Sequence, residues 1–165
     1  MRIAIVDYGV GNLRSVERAL VHAGAEVAIT SDGDELERAA GLVLPGVGAF
    51  GAARLRLAEG GRHEGLGLLP GRVTAVQGSE HVPVIGWRRV SQSRSSRLWE
   101  GVEEGSYFYF VHSFTPEPGG YTIASSEHSP AAASARGNVM GTQFHPEKSG
   151  PDGLRVYANF LAMCA

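Results

Sequence analysis

A histidine with a glutamate two residues on, His145-Pro146-Glu147, follows the apolar stretch Val139-Met140-Gly141-Thr142-Gln143-Phe144. That spacing suits a general base and the carboxylate that orients it. The carboxylate fixes the imidazole tautomer and stabilises the imidazolium that forms. On the tripeptide alone, a loop histidine beside a solvated glutamate is the commoner case. A second candidate is Pro45-Gly46-Val47-Gly48-Ala49-Phe50-Gly51, at the end of Leu42-Val43-Leu44. Glycines at the carboxyl end of a parallel strand let backbone N–H groups face a ligand, and such groups can form an oxyanion hole. The alternative is a tight turn. A third, Gly9-Val10-Gly11, has Arg14 where a dinucleotide fingerprint needs its third glycine, and the next strand ends in Thr30 rather than an acid. A nicotinamide site is not favoured. The six histidines, His22, His63, His81, His112, His128 and His145, show no metal-ligand spacing, so neither a metal nor a cofactor is expected. Cys164 is the single cysteine, which excludes a disulfide framework and a Cys-based zinc site.

The elements that must position these residues alternate strand and helix in the first half. Ile3–Val6 is a short apolar run, as for a strand buried on both faces. Leu13, Val16 and Leu20 recur at helical spacing, and Gly24 stops that helix. Val27–Thr30 is a second strand, Asp34–Ala40 a short helix with an acidic first turn, and Leu42–Leu44 a third strand. This order predicts a parallel sheet with helices on both faces. A further helix is expected over Ala52–Ala58, and then the pattern stops in the polar, glycine-rich Glu59–Gly65. Strands are expected at Arg72–Val76, Val82–Trp87, Tyr107–His112, Tyr121–Ser126 and Ala131–Arg136, with Ser91–Gly105 a polar loop. The last helix starts near Pro151, with Ser149 as N-cap and a buried stripe of Leu154, Tyr157, Ala158 and Leu161. Trp87, in Ile85-Gly86-Trp87, reads as either a core residue or an interface anchor, and the sequence alone favours core.

The chain has 165 residues, room for one domain and not for two ordinary ones. Hydrophobic residues make up 43% and charged residues 19%, so it is globular. A net charge of -2 points to neither a nucleic-acid nor a membrane surface. No apolar run approaches a membrane span, and Asp7 interrupts where a signal peptide needs its apolar stretch. The cytoplasm is the expected compartment.

Together the motifs resemble one family: the glutaminase subunit of imidazole glycerol phosphate synthase, a class I glutamine amidotransferase of histidine biosynthesis. The segments that carry the resemblance are Asp7–Leu13, Leu44–Gly51, Glu64–Gly71, Tyr109–Ser113 and Gly141–Ser149, in order over nearly the whole chain. The resemblance implies a flavodoxin-like mixed sheet flanked by helices. It implies hydrolysis of glutamine to glutamate and ammonia through a cysteine thioester, with the ammonia passed to a (β/α)₈-barrel cyclase subunit. It implies His145 as base and Glu147 as orienter, Gly46, Val47 and Gly48 at the oxyanion hole, and His112, Ser113 and Phe114 along the glutamine pocket. Asn12, Trp87 and Lys148 fall near the cyclase interface.

One departure is large. The family's nucleophile sits on a Gly-x-Cys-x-Gly elbow between the helix after the oxyanion strand and the Glu-Gly-Leu-Gly segment. Here no Cys, Ser or Thr occurs from Ala49 to Gly71. A central strand and its helix, ~30 residues on the scale of a crossover unit, are expected to be missing near residues 59–64 of a single domain spanning 1–165. An inactive or severely impaired glutaminase is the expectation, with a non-catalytic cyclase-binding module as the alternative. Arg88 stands where the family usually has asparagine.

Overall fold

The apolar N-terminal run forms β1 (Arg2–Val6), with Ile3, Ala4 and Ile5 almost wholly buried. A computed structural model describes residues 1–46, 67–79 and 81–165. After β1 come α1 (Leu13–His22), β2 (Glu26–Thr30), α2 (Gly33–Glu37) and β3 (Gly41–Val43). The three strands form a parallel sheet in the order β2-β1-β3. Gly24, at φ +100°, ends α1 as expected: the Ala25 N–H donates to the Leu20 carbonyl and the Gly24 N–H to that of Val21, the paired closure of a helix that turns left-handed after its last residue. Asp32 caps α2 by accepting from the Glu35 N–H at 2.9 Å. This helix is shorter than its composition predicts, because the Ala40 N–H donates to the Arg2 carbonyl and draws the chain onto β1. The expected helix over Ala52–Ala58 and the shortened stretch at residues 59–64 lie outside the described residues.

The second half is antiparallel. β5 (Val84–Gln92), β6 (Tyr107–His112), β8 (Thr122–Ser126), β9 (Ser129–Arg136) and β10 (Val139–Thr142) form a sheet ordered β10-β9-β8-β5-β6, and β4 (Val73–Ala75) pairs with β7 (Phe114–Pro116). β5 runs five residues beyond its expected end at Trp87. Its first part pairs with β6, and Val90, Ser91 and Gln92 then find a second partner in β8. The expected loop Ser91–Gly105 is not wholly loop. It contains a 3-10 turn, Arg97–Trp99, whose Leu98 and Trp99 are buried. Two apolar residues among polar neighbours leave no period to read, yet Trp99 packs against Phe108 and Phe144.

The last helix, α3 (Gly150–Cys164), is as expected in position. Its stripe is broader. Tyr157 and Leu161 face the parallel-sheet cluster with Ile3, Ile5, Val16 and Leu20, with half-buried Leu154 alongside. Val156 faces the other cluster, with Phe108, Phe110 and Phe144. Asn159, 8% exposed, is held by donating to the carbonyls of Leu98 (2.9 Å) and Glu100 (2.8 Å). One helix therefore lines both cores.

Candidate active site

His145 sits on the residue before a single 3-10 turn, Pro146–Lys148, between β10 and α3. Proline at the first position presets the turn, and it folds Glu147 back onto the histidine. Nδ1 of His145 lies 2.8 Å from Oε1 of Glu147. A carboxylate only accepts, so Nδ1 carries the proton and the Nε2 lone pair is left as the basic atom. The two side chains are 16% and 4% exposed. Burial would raise the Glu147 carboxyl. The hydrogen bond and charge of His145, with its own backbone and Lys148, outweigh that and hold it below its ordinary value. The phenol of Tyr157 on α3 faces the same carboxylate: burial, and then the charge of Glu147, push its ionisation far up. A tautomer fixed in this way is what proton transfer at Nε2 requires.

The turn is fastened on two sides and faces a cleft on a third. Against β6, the His145 N–H donates to the Tyr109 carbonyl at 2.9 Å. Against α3, a Cβ on the buried Gly153 would stand 2.0 Å from the Pro146 carbonyl oxygen, so only glycine permits this approach. Against α1, Ser15, Arg18 and Ala19 share with Glu147, Gly150 and Leu154 a cleft of about 340 Å³. Ser149 is at the expected helix start, but its side chain makes no cap there. Its Oγ instead accepts from the Tyr109 N–H at 3.0 Å and donates to the His145 carbonyl at 2.6 Å. The expectation of a side-chain N-cap fails because a strand edge competes for the hydroxyl. Ser149, Gly153, Tyr157 and Tyr109 are residues of the site that the sequence alone does not mark as such. The one local signal was a glycine inside a helix, which costs about 1 kcal/mol against alanine and implies a close approach.

His112 ends β6 and is 2% exposed. Nδ1 donates to the Phe114 carbonyl at 2.9 Å, so Nε2 accepts from Ser129 Oγ, also at 2.9 Å. Burial pulls its pKa below the ordinary value. Phe114 opposes this, and the nearby charges of His128 and His145 add to it. The Ser113 carbonyl accepts from the Val76 N–H, so the His112-Ser113-Phe114 backbone is pinned to strands on either side. Gly46 is exposed just beyond β3. Before it, Pro45 accepts a hydrogen bond from the Tyr8 hydroxyl and packs under Gly11. The Gly9–Gly11 loop thus buttresses the strand end, with Asp7 accepting from the Gly9 N–H at 2.9 Å. Val47 and Gly48 lie outside the described residues.

Trp87 is 50% exposed, not core. Its side chain alternates to the outer face of β5, edge-on to Tyr109 at 6.1 Å, and the Lys148 ammonium stands 5.8 Å over the Tyr109 ring. Trp87 and Lys148 are thus brought together, while Asn12 is exposed at the start of α1. Arg88 is on the opposite face, its Nε buried without a hydrogen-bond acceptor and 3.8 Å from Glu127. Cys164 is at the far end of α3, roughly 20 Å from the His145 turn at about 1.5 Å per residue. Its Sγ abuts Gly41, and burial pushes the thiol pKa up, the opposite of an activated nucleophile.

The family model for glutamine amidotransferase class-I matches residues 4–164. The imidazole glycerol phosphate synthase subunit HisH of Methanosarcina mazei is 39% identical over 200 residues, covering 99% of either chain. That of Halobacterium salinarum is 41% identical over 205 residues, covering 99% of this chain and 94% of the relative. An alignment of 200 positions exceeds the 165 residues present by 35. Among solved structures, PurLQS from Thermotoga maritima superposes with a TM-score of 0.76 at 20% identity, covering 99% of both chains.

Proposed function

The chain belongs to the class-I glutamine amidotransferase family, and from that membership we propose that it is the glutaminase-type subunit of an imidazole glycerol phosphate synthase that has lost its nucleophile. The observation that carries this reading is the 2.8 Å contact of His145 Nδ1 with Glu147, taken with a sequence from Ala49 to Gly71 that holds no Cys, Ser or Thr. The base and its orienter remain, and the atom they would activate does not. In the full reaction His145 takes the thiol proton, the thiolate attacks the glutamine side-chain amide carbon, His145 hands that proton to the departing ammonia, and water then releases glutamate from the thioester, while backbone N–H groups around Gly46, Val47 and Gly48 hold the oxyanion. The backbone of His112, Ser113 and Phe114 would line the glutamine pocket. Removal of one triad nucleophile costs on the order of 10⁶ in turnover in a serine protease, and loss of the strand beneath it is no milder. An alignment of 200 positions against 165 residues supports a single shortened domain, and the order of the sequence motifs is what puts the shortening near residues 59–64.

The expected partner is a (β/α)₈-barrel cyclase subunit in the cytoplasm, docked through Asn12, Trp87 and Lys148. No helix among the described residues is long and apolar enough to cross a membrane. A second reading, a non-catalytic module that docks on the cyclase, is favoured by the exposed Trp87 ring edge-on to Tyr109 beside Lys148. One experiment separates the two. The purified chain is mixed with the barrel subunit and glutamine, and both complex formation and ammonia are measured. Ammonia at the rate of a cysteine-bearing relative would refute the loss of the nucleophile. A complex without ammonia is the expected outcome, and the docking role requires that ammonia supplied externally still be used.

A further inference from the structure

We infer that Ser149 is a positioning residue: its hydroxyl closes a ring of hydrogen bonds that fixes the His145–Glu147 pair to the edge of β6. The Tyr109 N–H donates to Ser149 Oγ (3.0 Å), the Ser149 hydroxyl donates to the His145 carbonyl (2.6 Å), and the His145 N–H returns to the Tyr109 carbonyl (2.9 Å). Ser149 is 2% exposed, so water cannot stand in for either bond. Both backbone groups of Tyr109 are spent on this ring. They are the groups that the free edge of β6 would offer to another strand. The ring spans 40 residues of sequence and sets the distance between strand edge and turn within the reach of one hydroxyl.

Glu147 lies inside the stretch so fixed, two residues from either end. It swings back to His145 only if the chain between His145 and Ser149 keeps its tight 3-10 path, in which the Lys148 N–H donates to His145 and the Ser149 N–H to Pro146. Without the hydroxyl, the Tyr109 N–H and the His145 carbonyl each lose a buried partner. The turn then gains freedom to separate the carboxylate from the ring. A side chain that merely packed would not couple these events.

The inference rests on reading His145 and Glu147 as base and orienter. The experiment follows ring geometry without turnover, so it succeeds or fails independently of glutamine cleavage. In the full-length chain, NMR follows the His145 Nδ1–H, its tautomer and its exchange with solvent, together with titration of the Glu147 carboxyl. Ser149→Ala is expected to speed Nδ1–H exchange about fivefold, the factor that one hydrogen bond's net contribution gives, and to move the Glu147 carboxyl back up toward its ordinary value. Ser149→Thr, which keeps the hydroxyl, is expected to restore both. An alanine variant that folds with unchanged Nδ1–H exchange would overturn the assignment. Should alanine not fold, amide exchange in the parent chain decides. Tyr109 is expected to be protected to the same degree as His145, and a Tyr109 amide that exchanges like an exposed one overturns the proposal.

Discussion

Gly153 sets how near α3 comes to the turn that carries His145, since a single added carbon would stand 2.0 Å from a backbone oxygen. Backbone cannot rotate away as a side-chain tip can, so Gly153→Ala must shift either helix or turn. We expect a loss of about 1–3 kcal/mol in stability, the usual range for overpacking, read by urea denaturation, and with it a weakened His145–Glu147 contact. His112 makes a prediction of a different kind. Its pKa is lowered by burial in the folded state, so the unfolded chain takes up a proton first as pH falls through the ordinary histidine value of about 6.5. Stability from this group is therefore full above that value and declines as acid is added below it. Denaturation midpoints at about pH 8 and about pH 5 should differ in that direction, and His112→Asn should flatten the slope. The residues at the site divide by how far their partners lie in sequence. His145 and Glu147 are two apart, so the tripeptide offers them as a candidate pair, and it takes the other motifs in register to favour that reading over a solvated loop. Ser149 meets Tyr109 across 40 residues, and nothing local distinguishes it from an ordinary helix cap.

Among the elements, β1 and α1 are readable because each is buried in a regular way, a continuous apolar strand and a helix with one apolar face, and β2 because its apolar run pairs along the whole of β1 even though it is only partly buried. β5 outruns its apolar stretch because hydrogen bonding to β8, not side-chain pattern, sustains Val90–Gln92. The 3-10 turn at Arg97–Trp99 escapes notice for the converse reason: its burial depends on Phe108, Phe144 and Asn159, none of which is near in sequence. Asn159 is what joins that turn to α3. Asn159→Leu would leave the carbonyls of Leu98 and Glu100 without their donor in a buried setting, a cost of about 1–3 kcal/mol. Calorimetry should record a lower Tm with the site pair unchanged, because the affected contact lies two and a half turns along the helix from the His145 turn.

At the scale of the whole molecule, the class-I amidotransferase fold was legible from several motifs in register, none sufficient alone. The parallel sheet, the antiparallel sheet and the last helix stand in the order that resemblance implies. What the sequence could not convey is how the second sheet is knit together. Trp87 illustrates this: an aromatic in an apolar run reads as core, and only strand alternation in the folded sheet turns it outward beside Tyr109. The helix that lines both hydrophobic clusters has a mechanical corollary. The halves cannot part like jaws to admit a small molecule without peeling that helix from one wall. Any molecule that reaches the imidazole must therefore do so with that girder still seated against both walls.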